Sequence, residues 1–94
     1  MSVFYSIHAY DQESRYRAAE DRIDNGILYT TFEQACDAIE KKIQAHIDDV
    51  KMLEVYVQPN REEKKKEIDD KSYVHYYESV LLRLFVIRNW KVAE

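Results

Sequence analysis

The chain has 94 residues, of which one is a glycine and one is a proline. An average chain of this length carries roughly six or seven glycines. Dinucleotide-binding fingerprints, phosphate-binding loops and nucleophile elbows each need several glycines, so the composition excludes these three kinds of enzyme site. Apolar residues make up 46% of the chain and charged residues 34%. These fractions are typical of a folded protein, and we expect a single α+β domain over residues 1–94.

The net charge of -4 is unevenly spread. Residues 1–50 hold ten acids and five bases, whereas residues 51–94 hold eight acids and nine bases. The first half would repel nucleic acid and the second half is too mixed for a phosphate-binding surface, so we expect no direct nucleic-acid binding. A single cysteine allows no internal disulfide, which favours a cytoplasmic protein. No apolar run approaches the ~20 residues of a membrane span, so we expect no membrane partner.

The first third of the chain contains two predicted strands. Alternating side chains predict a strand over residues 3–10. Residues 11–24 fit either a short helix or a long loop. Asn25 and Gly26 predict a turn, and a short strand over residues 27–31 follows it, which we expect to be antiparallel to the first.

The clearest predicted element is a helix over residues 32–49. Thr31 and Gln34 fit a capping box at its start. Apolar residues then recur at spacings of three and four, which makes one apolar stripe and predicts that one face of the helix lies on a sheet. The stripe consists of Phe32, Ala35, Cys36, Ile39, Ile43, Ile47 and Val50.

The second half of the chain contains two further predicted strands and a charged segment. Residues 52–57 alternate like a strand, which Pro59 ends. Residues 60–71 are almost wholly charged. Charge pairs at i,i+4 spacing allow a helical turn there, but we expect an extended, mobile hairpin tip. Residues 72–90 are the most apolar part of the chain, and their centre, residues 80–87, predicts a strand.

The predicted fold is a small, mainly antiparallel sheet in the order β-β-α-β-β, with one amphipathic helix on one face. The strand over residues 80–87 is apolar on both faces, which is typical of a strand that is covered on both sides. One helix covers only one face of so small a sheet. We therefore expect a second protomer to cover Leu81, Phe85 and Ile87, which makes the protein a homodimer. We also expect Phe85→Arg to break self-association or partner binding.

The eight tyrosines exceed the expected number about threefold. Tyrosine combines a large apolar area with a polar tip and is enriched at protein interfaces. A cluster of tyrosines directly precedes the doubly apolar strand, so we predict one interface from both features. Its residues are Tyr73, Tyr76, Tyr77, Leu81, Arg83, Phe85 and Ile87. Stacking of nucleobases on these aromatics is the alternative, but the glycine-bearing motif of RNA-recognition domains is absent.

No residue pattern predicts catalysis, a metal or a cofactor. The three histidines, His8, His46 and His75, do not have the spacing of metal ligands. Cys36 lies within the apolar stripe, which predicts a packing role rather than a reactive thiol. Paired carboxylates lie in polar stretches, where we expect them to be solvated rather than catalytic. We therefore expect a protein that is not an enzyme, has no metal and has no cofactor.

The outer face of the predicted helix carries a row of acids. A negative row of this kind is compatible with an acidic DNA mimic that blocks a DNA-binding protein of the host. Lys41 and Lys42 interrupt the row, which favours an ordinary solvated helix face. The residues of this acidic surface are Glu33, Asp37, Glu40 and Asp48.

The segment from Asn25 to Ile43 has a short strand that ends in a threonine cap and a helix that opens with Glu-x-Ala. This pattern resembles small phage-encoded α+β accessory proteins. The resemblance implies a host-takeover or counter-defence factor that binds a host protein and blocks it in the host cytoplasm. We therefore expect a non-enzymatic protein-binding inhibitor. A further alternative is a nucleotide binder, or sponge, with its pocket at a dimer seam.

Overall fold

The chain folds as an antiparallel sheet with helices on one face. A computed structural model describes residues 2–11, 27–50, 57–78 and 83–93. The sheet has three strands in the order β1-β3-β2, and both pairings are antiparallel. In chain order the elements are β1 (Ser2–Asp11), α1 (Phe32–Val50), α2 (Arg61–Lys71), β2 (Tyr73–Glu78) and β3 (Arg83–Val92). The predicted α+β class with an antiparallel sheet is therefore confirmed.

The first strand and the long helix form where the sequence predicts them. At the start of α1, the Thr31 hydroxyl accepts a hydrogen bond from the Gln34 N–H at 3.1 Å, as expected for a capping residue. The Gln34 side chain reaches one residue further back than a capping box requires. Its Oε1 accepts hydrogen bonds from the backbone N–H and the hydroxyl of Thr30, at 3.1 and 3.0 Å.

The main core lies between the two helices and one face of the sheet, which we call the helix face. The apolar stripe of α1 packs there against alternate residues of the strands, as the periodicity predicts. Tyr5 and Phe32, for example, meet edge to face with ring centroids 6.0 Å apart. The buried residues of this core are Tyr5, Ile7, Phe32, Ala35, Cys36, Ile39, Ile43, Ile68, Val74, Tyr76, Phe85 and Ile87.

The charged segment expected as a hairpin tip is instead the helix α2. Its N-cap, Asn60, accepts hydrogen bonds from the N–H groups of Glu62 and Glu63. At its other end Ser72 takes a left-handed conformation, with φ of 68°, and donates its N–H to the Ile68 carbonyl. Ile68 is the buried residue of this helix. The fold therefore has a second helix, whose formation depends on its caps and on one apolar anchor.

The remaining predicted strands differ from the structure or lie outside it. Of residues 27–31, the structure pairs only Tyr29, in an antiparallel bridge to Tyr5. The strand expected over residues 52–57 falls on residues outside the described ranges, apart from Val57, which is exposed and in no strand. The segment 11–24 and Gly26 also lie outside those ranges, except for Asp11 in β1. Residues 72–90 contribute two strands, β2 and most of β3.

The outer edge of β2 is irregular. The pairing of β2 with β3 shifts register between His75 and Tyr77, which is the geometry of a β-bulge. Lys64 of α2 donates from its ammonium group to the backbone carbonyl of His75 at 2.8 Å. One carbonyl on β2 therefore bonds to a side chain of α2.

Candidate interaction surface

Three of the predicted interface residues lie in the core. Phe85, Ile87 and Tyr76 are almost completely inaccessible to solvent, at 2%, 0% and 1% exposure. Both described helices pack on the helix face, which carries Phe85 and Ile87, so the expectation that these residues lie on the uncovered face is corrected. Alternation along β3 shows two apolar faces but does not say which one the helices take. Phe85→Arg would therefore test folding rather than self-association.

The other predicted interface residues have varied positions. Tyr73 is exposed and pairs with Arg88 across the strands, on the face opposite the helices. Tyr77 follows the register shift of β2 and is partly buried against the main core. Leu81 lies outside the described residues, and for Arg83 the structure describes the backbone, within β3, and not the side chain.

The face opposite the helices has a buried end and an exposed end. At the buried end, Leu84 and Val86 form a second, small core cluster. At the exposed end, Tyr73, Trp90 and Val92 retain 44%, 43% and 45% of their accessible surface. The register places Phe4 opposite Trp90, and Tyr73 and His75 stand two residues apart on the same face. We call this exposed end the aromatic surface, and its members are Phe4, Tyr73, His75, Arg88, Trp90 and Val92.

The aromatic surface has the composition of a protein-binding patch. Tryptophan, tyrosine and arginine are the residue types that most often dominate the energy of protein interfaces. The rings of Tyr73 and His75 lie 6.0 Å apart at a tilted angle. Arg88 is the cationic member of the patch, whose other members are aromatic, aliphatic or imidazole side chains. The patch is therefore mainly aromatic and apolar, in a chain of net charge -4.

A buried hydrogen-bonded chain lies beneath this surface. The indole N–H of Trp90 donates to the Ser6 hydroxyl at 2.7 Å, and the same hydroxyl lies 2.8 Å from Nε2 of His8. Trp90 reaches Ser6 diagonally, because the residue directly opposite Trp90 on β1 is Phe4. A hydroxyl beside an imidazole is the pairing of a nucleophile with a base. Ser6 and His8 are 0% and 1% exposed, however, so the pair is closed to a substrate.

The predicted acidic surface is for the most part paired within the molecule. The guanidinium of Arg61, the first residue of α2, donates to Glu33, Asp37 and Glu40 of α1 at 2.7, 2.8 and 2.8 Å. Asp48 lies apart from this cluster and accepts a hydrogen bond from Gln44. Three of the four acids therefore hold α2 to α1.

Arg61 and Tyr76 both keep their ordinary charge state within this cluster. Partial burial alone would lower the pKa of Arg61, but hydrogen bonds to Asp37 and Glu33 outweigh it and raise the pKa above its ordinary value. The Tyr76 hydroxyl donates to the other oxygen of Glu40 at 2.8 Å. Burial, and then this hydrogen bond, raise the pKa of Tyr76, so the phenol stays protonated.

The remaining candidates for chemistry lie at separate positions in the fold. Cys36 is fully buried, and burial raises the pKa of its thiol to about 12, as the prediction of a packing residue requires. His8 bonds to Ser6, His75 is exposed, and the side chain of His46 lies outside the described part. Within the described ranges, no three histidine, cysteine or acidic residues gather as metal ligands would. Nor does either helix there have the length and apolar character needed to cross a membrane.

Comparison with known proteins gives no relative. No family model, curated protein sequence or solved structure matches this chain. The resemblance to small phage proteins therefore stays a prediction.

Sequence reasoning did not single out Trp90 or Arg61. For Trp90 a signal exists, because the alternation of the last strand continues to residue 92 and places the single tryptophan on the same face as Leu84 and Val86. For Arg61 the sequence contains no such signal, since its three partners lie 21 to 28 residues away along the chain.

Proposed function

We propose that this protein is a non-enzymatic protein-binding protein that docks a partner on the aromatic surface. The observation that supports this most is the exposure of Tyr73, Trp90 and Val92 together on the face opposite the helices. Exposed aromatic and aliphatic side chains grouped on one surface mark binding sites more often than scattered ones do. The proposed interface keeps Tyr73 from the sequence prediction and replaces the buried residues with members of β1 and β3.

We further propose that binding inhibits the partner, as the resemblance to phage accessory proteins implies. A domain this small inhibits most simply by covering a surface that the partner needs. The proposed setting is the cytoplasm, and the host cytoplasm if the chain is phage-encoded.

The DNA-mimic alternative is disfavoured by Arg61. A DNA mimic has to present separate negative charges to its partner. Here one guanidinium holds the carboxylates of Glu33, Asp37 and Glu40 within 2.8 Å, which fixes and partly neutralises them. The nucleotide binder at a dimer seam stays a prediction that a thermal-shift screen with nucleotides tests, because a bound ligand raises the apparent stability.

The proposed function is tested by comparative affinity capture from a cell lysate. The baits are the wild-type chain, Trp90→Ala, Tyr73→Ser, and Glu63→Ala as a matched control on the exposed surface of α2. We expect the wild type and the Glu63→Ala control to capture the same partner. Trp90→Ala should lose this partner and Tyr73→Ser should capture less of it, since anchor residues dominate the binding energy of interfaces. Equal retention by all four baits would contradict this surface, and sedimentation of the same samples reports self-association.

A further inference from the structure

Trp90 presents its ring to solvent while its polar atom is bonded inside the protein. Trp90 is 43% exposed, yet its indole N–H donates to Ser6, which has no exposure. Tryptophans at interfaces commonly use this N–H to bond a partner or water. Here the sheet itself supplies the acceptor.

The Ser6 hydroxyl accepts the indole proton whichever ring nitrogen of His8 carries a hydrogen. If Nε2 of His8 is bare, the Ser6 O–H donates to it and the Ser6 oxygen accepts from Trp90. If Nε2 carries the proton, the Ser6 oxygen accepts from both neighbours. In either case the indole N–H has its hydrogen-bond acceptor within the molecule. This bond fixes the orientation of the Trp90 ring.

We propose that Ser6, supported by His8, is a positioning residue that presents Trp90 as a preorganised anchor, and that the aromatic surface takes a short apolar segment of a partner protein. This inference rests on the proposed function. A partner meeting Trp90 needs no hydrogen-bond acceptor for it, because Ser6 already provides one. Ordering the ring before binding also removes an entropy cost that a free side chain would incur.

The size and charge of the surface decide between possible occupants. Along the strands its members span six residue steps, from His75 at the level of Val86 to Val92, and they lie across three strands, which is an outline of roughly 20 by 14 Å. A stable protein dimer buries about 800 Å² on each partner, and this outline falls well short of that. A nucleic-acid strand needs several cations along its backbone, whereas this surface offers Arg88 in a chain of net charge -4. A short apolar peptide segment fits both the small size and the low charge of the surface.

The position of Trp90 is tested with its own spectroscopic signal. Trp90 is the single tryptophan of the chain, so fluorescence and the indole N–H resonance report it alone. We expect Ser6→Ala to shift the indole resonance, to speed its exchange with water and to lower the fluorescence anisotropy of the ring. Ser6→Thr keeps a hydroxyl at the same position and should restore the wild-type signal. Unchanged indole exchange in Ser6→Ala would overturn the positioning role.

Binding is tested with peptides selected from a random displayed library on the wild-type chain. We expect selected peptides to be rich in apolar residues, and Ser6→Ala to weaken their binding about two- to twelvefold, the cost of ordering one side chain. Trp90→Phe removes the same hydrogen bond by deleting its donor, and it should weaken binding comparably. This variant keeps the test valid if Ser6→Ala folds poorly. The double variant should then lose little more than either single variant.

Each result separates this inference from the proposed function. If Trp90→Ala abolishes binding but Ser6→Ala and Trp90→Phe bind like the wild type, the positioning role is wrong and the proposed function stands. If Trp90→Ala binds like the wild type, the proposed function itself fails. Failure to select any peptide, preference for single-stranded DNA, or association of the chain with itself through Trp90 would each overturn the apolar peptide segment as occupant.

Discussion

The polar contacts on the two faces of the sheet differ in kind. On the helix face, one guanidinium binds three carboxylates, and Tyr76 donates to one of them, so charged groups join two helices. On the opposite face, the hydrogen bonds lead from the partly exposed Trp90 to the buried side chains of Ser6 and His8.

This difference separates the parts that hold the fold together from the part available to a partner. The helix face contains the main core and the ion-pair cluster, and most of its residues are closed to solvent. The opposite face keeps large side chains exposed, but one of them, Trp90, is held by a hydrogen bond to the buried Ser6 hydroxyl. Substitutions on the two faces should therefore affect different measurements, stability on the first and binding on the second.

The largest expected effect is the loss of the apolar anchor of α2. Ile68→Ala removes the buried residue of that helix and should lower the free energy of unfolding by about 2–5 kcal/mol. Val92→Ala on the aromatic surface is the control and should cost less than about 1 kcal/mol, since Val92 is half-exposed. Urea unfolding measures both, and equal losses would contradict the separation of the two faces.

A smaller effect is expected from Arg61→Met, which keeps the side-chain stem and removes the charge. It leaves Glu33, Asp37 and Glu40 without their shared cation, but two of these carboxylates are largely exposed, so we expect a loss of only about 1–2 kcal/mol. The loss should shrink as salt screens the repulsion between the acids. Lys66→Met, on the exposed surface of the same helix, should change little. The effect of Ser6→Ala on the opposite face should not depend on salt, because Ser6 is uncharged.

The last expected effect, absent at neutral pH, is a loss of stability in alkali. The pKa of Cys36 rises from 9.0 to about 12 on folding, so above pH 9 the unfolded chain gives up a proton that the native chain keeps. Stability due to this thiol is complete below pH 9 and falls as pH rises, by about 1.4 kcal/mol per pH unit. Tyr76, whose pKa is also raised, adds to the fall at higher pH.

Urea midpoints at pH 8, 9 and 10 measure this dependence. Cys36→Ala should flatten the curve over that window, whereas Trp90→Phe should leave the slope unchanged, since both titrating groups lie on the helix face. A slope in Cys36→Ala as steep as in the wild type would show that another group is responsible.

The parts of the fold that sequence predicts are those governed by local periodicity. Alternation over residues 3–10 and the apolar stripe after Thr31 each specify an element with little help from distant residues, and β1 and α1 form there. Alternation over residues 80–87 predicts a strand that is apolar on both faces, and the described part of that segment, residues 83–87, lies in β3. It could not show which face the helices cover, because that depends on how β3 pairs with β1 and β2.

The parts that sequence missed depend on contacts between distant residues. The segment 61–71 has one large apolar residue and no apolar stripe, so its pattern does not predict a packed helix. In the fold its side chains reach remote partners: Arg61 binds α1, Lys64 bonds to β2, and the Lys65 ammonium lies 5.8 Å from the centre of the Tyr5 ring. Tyr73 was predicted for the binding surface from its residue type, but grouping it with Trp90 required the register.

The contact between Lys64 and the His75 carbonyl has a consequence for how the protein behaves at high concentration. Among the described residues β2 is an outer strand of the sheet, and an unprotected outer strand is a template on which further chains can add. The ammonium group of Lys64 occupies one of the positions that an added strand would use, and the bulge after His75 interrupts the regular spacing of the others. This edge of the sheet should therefore resist the ordered stacking of chains that leads to fibrils, and replacing Lys64 with a short apolar residue would remove part of that protection.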